Sequence, residues 1–185
     1  MSRGVSRIWL MENSGTYCLL VVATLLDLLT PELLHNVDKF IAACQTYEGG
    51  FACSTFPFES SRAAMAEAHG GFSSCCLLAY FLLSSPKPQS QDSSLGYDFP
   101  SEINVGAAIR WSALMQGEAI EAGGFRGRSN KLVDGCYSWW VGGGFPVLEE
   151  LARRETAVKR GTSADEELEA SAPPLFNRGE LACLP

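Results

Sequence analysis

The segment richest in reactive side chains runs from Gly127 to Trp140, where two cations, a carboxylate, a thiol and three aromatic rings stand close together. Asp134 and Cys136 are separated by one residue, and they offer the oxygen and thiolate ligands that a catalytic zinc takes while it keeps an open position for substrate. Two ligands alone do not define a zinc site. Asp134 is equally well explained as a helix-capping residue, because aspartate is favoured where helices begin.

The same segment is locally basic. Arg128 and Lys131, with Arg126 nearby, are placed to meet an anionic group at the start of the helix that follows. The whole chain, however, carries a formal net charge of -7 over 185 residues. An acidic chain of this kind is not one that binds nucleic acid, because phosphate binding needs an excess of clustered Lys and Arg. We therefore expect a local anion site.

Apolar stretches with helical spacing must position these side chains. They predict two consecutive helices, one over residues 17–30 and one that begins at Pro31 and includes Ile41, and three further helices over residues 72–83, 103–115 and 137–151. Glycine pairs at 49–50, 70–71 and 123–124, and a glycine run at 142–144, separate the helices. Helices that alternate with such turns indicate an internal repeat.

The repeat aligns residues 68–73 with residues 133–138, which gives His69, Asp134 and Glu12 equivalent positions. Each of these residues stands just before an apolar helix, where unpaired backbone amides and the positive end of the helix dipole favour anions. If the repeats close into a ring, the helix starts converge on one central cavity. The alternative is ordinary helix capping at each position.

Composition indicates one globular domain, with 46% hydrophobic and 19% charged residues. Seven cysteines without the regular spacing of a disulfide framework predict a reducing, cytoplasmic location. The apolar stretch at residues 17–26 is too short to span a membrane. We divide the chain into an unmatched segment (1–11), the repeats (12–151) and a divergent, poorly ordered tail (152–185).

Three segments resemble successive signatures of the prenyltransferase beta-subunit family. They are Cys44–Phe51 (CQTYEGGF), Glu67–Phe72 (EAHGGF) and Arg128–Trp140 (RSNKLVDGCYSWW). The resemblance covers roughly residues 12–151, with extra residues at 53–65 and 84–97 that we expect to be loops. It implies an all-α fold, an incomplete α/α toroid. Within the family, residues 130–136 (NKLVDGC) are similar to the farnesyl enzyme, and a geranylgeranyltransferase beta subunit is the alternative.

The resemblance implies zinc-dependent transfer of a farnesyl group from farnesyl diphosphate to the cysteine of a C-terminal CaaX motif, by a heterodimer with a prenyltransferase alpha subunit. Asp134 and Cys136 match two of the zinc ligands, and Lys131 and Tyr137 join them as catalytic positions. The substrate-binding positions are Tyr17, His69, Gly70, Gly71, Phe72, Cys75, Arg128, Ser129, Asn130, Lys131, Tyr137, Ser138, Trp139 and Trp140. Mg²⁺ is a further candidate cofactor.

The chain also departs from the family pattern. The third zinc ligand of the family is a histidine in a later Tyr-His-Thr segment, whereas the two histidines here are His35 and His69. Ser14 replaces an arginine that is common beside the substrate, and Phe72 replaces a common tyrosine. We therefore expect a truncated copy that is unstable alone, or a catalytically dead fragment that only pairs with the alpha subunit. A terpene cyclase is disfavoured because no aspartate-rich acid motif is present.

Overall fold

The computed structural model describes residues 12–55, 64, 66–84, 103–121 and 123–160. Helices in these ranges are α1 (Asn13–Leu25), α2 (Pro31–Leu34), α3 (Val37–Ala43), α4 (Gly70–Ser84), α5 (Val105–Leu114), α6 (Cys136–Trp140) and α7 (Phe145–Arg160), with 3-10 turns at Ala119–Glu121 and Gly142–Gly144. Extended pairing in the same ranges is limited to isolated bridges. The predicted all-α class is confirmed.

Several sequence predictions fall on other residues. The segment 1–11, most of the loops predicted at 53–65 and 84–97, and residues 161–185 of the predicted tail lie outside the described residues. In the part of the chain that is described, every helix is too short or too polar to cross a membrane.

Helix α4 is the centre of the described fold. Its sequence, GGFSSCCLLAYFLLS, is apolar or small on all sides, and a helix without a polar face must be covered on several sides. It contacts α1, α3, α6 and α7. The core around it includes Leu20 from α1, Ile41 from α3 and Leu148 from α7, each at most 2% exposed. Burial of each such side chain contributes about 1.5–3 kcal/mol.

The first two predicted helices have different bounds in the structure. Helix α1 ends at Leu25 and not at residue 30. Pro31 does begin a helix, with the side chain of Thr30 accepting a hydrogen bond from the amide of Leu33 at 3.3 Å. That helix stops after one turn because Asn36 adopts a left-handed conformation with φ of 63°, which asparagine tolerates better than most residues. The prediction of one continuous helix from Pro31 was wrong.

The predicted helix over residues 137–151 is also wrong in its bounds. It is two helices, α6 and α7, separated by the 3-10 turn Gly142–Gly144. The second continues past Leu151 to Arg160.

Charged residues follow Leu151, at the start of the predicted poorly ordered tail, and up to Arg160 they form part of α7. Glu150 accepts hydrogen bonds from Arg153 and Arg154 one turn later, both at 2.7 Å, a spacing that stabilises helices. The guanidinium of Arg154 also lies 4.6 Å from the centre of the Phe81 ring of α4. On the other side of the helix, Ala157 is buried.

The predicted internal repeat is present in the backbone hydrogen bonds. Three backbone bonds occur in both copies. The bond from Thr46 N to Gly50 O (2.8 Å) corresponds to that from Gly117 N to Gly124 O (2.9 Å), and the bond from Ala52 N to Cys44 O (2.9 Å) corresponds to that from Arg126 N to Met115 O (2.8 Å). The third bond runs from His69 N to Phe51 O (3.0 Å) in the first copy and from Asp134 N to Phe125 O (3.1 Å) in the second. The last pair places His69 and Asp134 at equivalent points of their copies, as the sequence alignment predicted.

Candidate functional site

The three polar residues that precede helices each accept a hydrogen bond from the amide two residues later. Ser14 N donates to Glu12 Oε1 (3.3 Å), Gly71 N to His69 Nδ1 (3.2 Å) and Cys136 N to Asp134 Oδ1 (3.0 Å). The capping interpretation is therefore correct for Glu12, the N-cap residue of α1, and His69 and Asp134 accept hydrogen bonds from amides at the starts of their helices in the same way. It does not exclude ligand binding, because a carboxylate has about four lone-pair positions and an imidazole keeps its second nitrogen.

His69 is joined to Tyr137 across the site, with Nε2 3.1 Å from the tyrosine hydroxyl. Because Nδ1 accepts from the Gly71 amide, a neutral ring carries its proton on Nε2 and donates it to Tyr137. Burial lowers the pKa of His69 and the nearby Arg128 lowers it further, while Glu67 opposes them. The imidazole of His69 is thus neutral near pH 7. Because the hydroxyl of Tyr137 accepts the hydrogen bond from His69, its own hydrogen can be donated to another acceptor.

The basic loop, residues 126–131, is held against this pair. Gly70 N donates to Gly127 O at 2.6 Å. A Cβ on Gly127 would lie 2.1 Å from Cζ of Tyr137, so the loop backbone touches the tyrosine ring. Further along the loop, Ser129 Oγ donates to Glu48 Oε1 at 3.3 Å.

Two of the three cations of the basic loop are paired with carboxylates. Arg126 forms an ion pair with Glu121 at 2.9 Å, and Arg128 pairs with Glu67. Lys131 is exposed and has no ion-pair partner among the described residues. Sequence analysis did not select Glu48 and Glu67. Both lie within the segments that carry the family resemblance, and each stands one to three residues before a glycine pair.

Asp134 and Cys136 are brought into contact, as predicted, and both are exposed. The backbone amide of Cys136 lowers the pKa of Asp134. A hydrogen bond to Asp134 raises the pKa of the Cys136 thiol, which is therefore protonated near pH 7. No group of three or more His, Cys, Asp or Glu residues suited to a metal occurs in the described ranges. The described residues thus supply two donors and do not complete a zinc site of three protein ligands.

The predicted apolar positions form a second group. Phe72 lies beside His69, with ring centres 5.2 Å apart, and Cys75 follows one turn later on α4. Burial raises the pKa of Cys75 to about 11, with Cys18 and Glu12 contributing. Burial also raises the pKa of Tyr17, followed by the effect of Cys75. Tyr17 packs against the core, and its helix α1 contacts α4.

The remaining predicted site residues differ in their positions. Gly70 and Gly71 open α4 beside His69 and the basic loop. Trp140 is partly buried at the end of α6. Asn130, Ser138 and Trp139 are exposed, with Trp139 at 74%. The structure thus joins His69 to Tyr137 and Phe72, and it holds Arg128 near them through its ion pair with Glu67 and the bond from Gly70 to Gly127. No contact in the described part ties Lys131 to these residues. The roles of all these residues stay predictions.

The chain matches the family model described as "Prenyltransferase alpha-alpha toroid domain" over residues 11–180. It is 36% identical to "Protein farnesyltransferase subunit beta" of Pisum sativum over 76% of this chain and 27% of that protein. With the protein of the same name from Pyricularia oryzae it shares 33% identity over 90% of this chain and 30% of that protein. "Geranylgeranyl transferase type-1 subunit beta" of Arabidopsis thaliana is 29% identical over 75% of this chain and 35% of that protein.

The chain thus spans about a third or less of the length of these relatives. Its family resemblance rests on most of its own residues, including the repeat, the helix starts and the loops between them. The chain belongs to the prenyltransferase alpha-alpha toroid family.

Proposed function

We propose that this chain is part of a farnesyltransferase beta subunit, which transfers farnesyl from farnesyl diphosphate to the cysteine of a CaaX motif with the help of zinc. The observation that carries the proposal is geometric: the hydrogen bond between His69 and Tyr137 lies where α4 begins, and the backbone bond from Gly70 to Gly127 brings the loop that carries Arg128 to the same place. Asp134 and Cys136 precede Tyr137 in the chain. The names of its relatives among farnesyltransferase beta subunits support the choice of prenyl group.

The start of α4 is where we place the diphosphate. Arg128 and the hydroxyl of Tyr137 would donate to its oxygens, together with Lys131 and the polar side chains of Ser129 and Asn130 from the basic loop. Donors fixed in advance stabilise the charge that grows on a leaving group more effectively than water, because they need not reorganise during the reaction. The tautomer of His69 favours this role, since it leaves the Tyr137 hydrogen for an incoming acceptor.

The farnesyl chain would follow the apolar side chains that lead away from the diphosphate. Phe72 and Cys75 succeed each other by one turn on α4, and Tyr17 packs against the core from the neighbouring helix α1. Trp140 at the end of α6 is the fourth position of this group. An anion-binding helix start that continues into a row of apolar side chains suits a ligand with a charged head and an apolar tail.

We place zinc on Asp134 and Cys136, with its other ligands from outside the described residues. When bound, zinc would make the substrate cysteine available as a thiolate near neutral pH. Cys136 would hold zinc as a thiolate, and the hydrogen bond to Asp134 raises the pKa of its thiol, so zinc affinity should rise with pH. Replacement of Cys136 by alanine should abolish stoichiometric zinc binding in a titration with a chromogenic indicator.

The decisive experiment is farnesyl transfer to a CaaX peptide by this chain co-expressed with a prenyltransferase alpha subunit in the presence of zinc. We expect transfer that Asp134→Asn and Cys136→Ala each abolish, and we expect farnesyl diphosphate to outcompete geranylgeranyl diphosphate. Preference for the longer diphosphate would favour the geranylgeranyl alternative. Absence of transfer by the intact chain would contradict the enzymatic proposal.

A second candidate function is suggested because no group of three or more metal-binding side chains occurs among the described residues, which leaves Asp134 and Cys136 as two ligands. On this proposal the chain pairs with the alpha subunit and binds diphosphate but transfers nothing. Stable co-purification with the alpha subunit and measurable pyrophosphate binding, without prenyl transfer at any zinc concentration, would distinguish it from the enzyme.

A further inference from the structure

A carboxylate lies inside the proposed anion site, where its charge opposes the ligand. Glu67 precedes α4 by three positions, and its Oε1 forms an ion pair with the guanidinium of Arg128. The two side chains come from segments 61 residues apart in the chain. Any diphosphate that uses Arg128 must therefore share or displace this carboxylate.

The ion pair is not needed to hold the fold. The side chains of Arg128 and Glu67 are 41% and 52% exposed, and ion pairs exposed to this degree contribute little to stability. Other contacts fix the basic loop without Glu67: the backbone bond between Gly70 and Gly127, the packing of Gly127 against Tyr137, and the bond from Ser129 to Glu48. The loop should stay in place when the charge of Glu67 is removed.

The effect of Glu67 on a bound anion is then set mainly by its charge. Arg128 is neutralised by Glu67, and His69 is neutral near pH 7, so these two side chains offer an anion at the start of α4 little net positive charge. A negative charge beside an anion site lowers its affinity through repulsion and through competition for the same guanidinium donors.

We propose that Glu67 competes with the diphosphate for Arg128 and so limits how tightly the site holds it, an inference that rests on the proposed diphosphate site. A weaker hold on the diphosphate group favours its departure after the farnesyl group has been transferred, and product release often limits the turnover of enzymes. Glu67 is then an affinity-determining residue of this site.

The test is binding of inorganic pyrophosphate to the purified 185-residue chain, measured by isothermal titration calorimetry at low ionic strength. Glu67→Gln removes the charge and keeps the shape, and we expect it to bind pyrophosphate about threefold more tightly. The gain should shrink as salt is added, because salt screens exposed charges. Glu67→Ser, which also lacks the charge, should give the same gain, and circular dichroism would verify that each variant is folded.

Two variants separate this inference from the site on which it rests. Glu32→Gln removes the same charge from α2, and it should leave affinity unchanged, whereas Arg128→Gln should weaken binding. Equal or weaker binding by Glu67→Gln and Glu67→Ser, or unfolding of both, would overturn the role of Glu67 while the site itself stands. An equal gain in Glu32→Gln would overturn it too. A wild-type chain that binds no pyrophosphate would overturn the diphosphate site and this inference together.

Discussion

Tyr137 contacts two other parts of the candidate site, His69 and the basic loop. Its hydroxyl is bonded to His69, its ring packs against Gly127, and its pKa is raised by burial, then by Cys136 and Asp134, against the opposing effect of Arg128. A raised pKa keeps the phenol protonated, so Tyr137 remains a hydrogen-bond donor throughout the neutral range.

At this scale the sequence predicted positions better than pairings. His69 and Asp134 could be selected because each precedes an apolar helix, and that placement is local. The ion pair between Arg128 and Glu67 could not be predicted, because it joins segments 61 residues apart, and no local pattern specifies which carboxylate an arginine will meet.

Gly127 should be essential for the position of Tyr137 and dispensable for the fold. In Gly127→Ala the new methyl would overlap the tyrosine ring, and the ring can swing away because it is the free end of a side chain. We expect pyrophosphate affinity to fall about tenfold, to the level of Tyr137→Phe, with a loss of stability below about 1 kcal/mol. Calorimetric titration and thermal melting test this. Gly143→Ala, where a methyl group meets nothing within 4 Å, is the control, and equal affinities for both variants would refute the prediction.

The protonation of His69 should respond to Arg128. Arg128 lowers the pKa of His69, so Arg128→Gln should raise the pKa of His69, which NMR titration of the ring protons can measure. In the wild-type chain the folded pKa lies below that of the unfolded chain, so the unfolded state binds more protons at mildly acidic pH. The folded chain is therefore favoured by the neutral His69 above the ordinary histidine pKa, and this part of the free energy of unfolding is lost as the pH falls below that value. An unchanged titration would show that the two side chains do not interact.

At the scale of elements, periodicity identified where helices exist but not where they break. A single left-handed residue at Asn36 divides a helix that the apolar pattern presents as continuous, and the glycine run at 142–144 permits a change to 3-10 geometry. The opposite error occurred after Leu151, where a poorly ordered tail was predicted and α7 continues to Arg160. The spacing of Glu150 with Arg153 and Arg154 is a helix signal that the sequence does contain. The contact of Arg154 with Phe81 of α4 is long-range, and the sequence could not predict it.

The glycine pair of the first repeat turn allows close packing against α5. Gly49 has a φ of 107°, and a Cβ there would lie 2.1 Å from the carbonyl oxygen of Ala107. Because backbone cannot move aside as a side chain can, Gly49→Ala should destabilise the chain by about 2–4 kcal/mol in chemical denaturation. Gly106→Ala, on the exposed side of α5, should instead be neutral or stabilising by up to about 1 kcal/mol. Comparable losses in both variants would contradict this account of the turn.

At the scale of the whole molecule, one end of α1 presents an apolar surface. Val22, Leu25 and Leu26 share one side of the helix end, and Leu28 follows in the next turn, with exposures between 52% and 80%. Contiguous exposed side chains of this size are unusual on a monomer and mark contact surfaces or sites of aggregation. The chain spans about a third or less of its relatives' length, and in a toroid each helical repeat is stabilised mainly by its neighbours.

We therefore expect the isolated 185-residue chain to be marginally stable and to self-associate through this end of α1. Leu25→Lys combined with Leu26→Lys should reduce association in light scattering without loss of helical circular dichroism, because both side chains are exposed. Leu20→Lys, on the same helix but 2% exposed, should unfold the chain, because it buries an unpaired charge. A monomeric wild-type chain with one sharp thermal transition would mean that the described helices form a self-sufficient core, and that the leucines at the end of α1 need no covering surface.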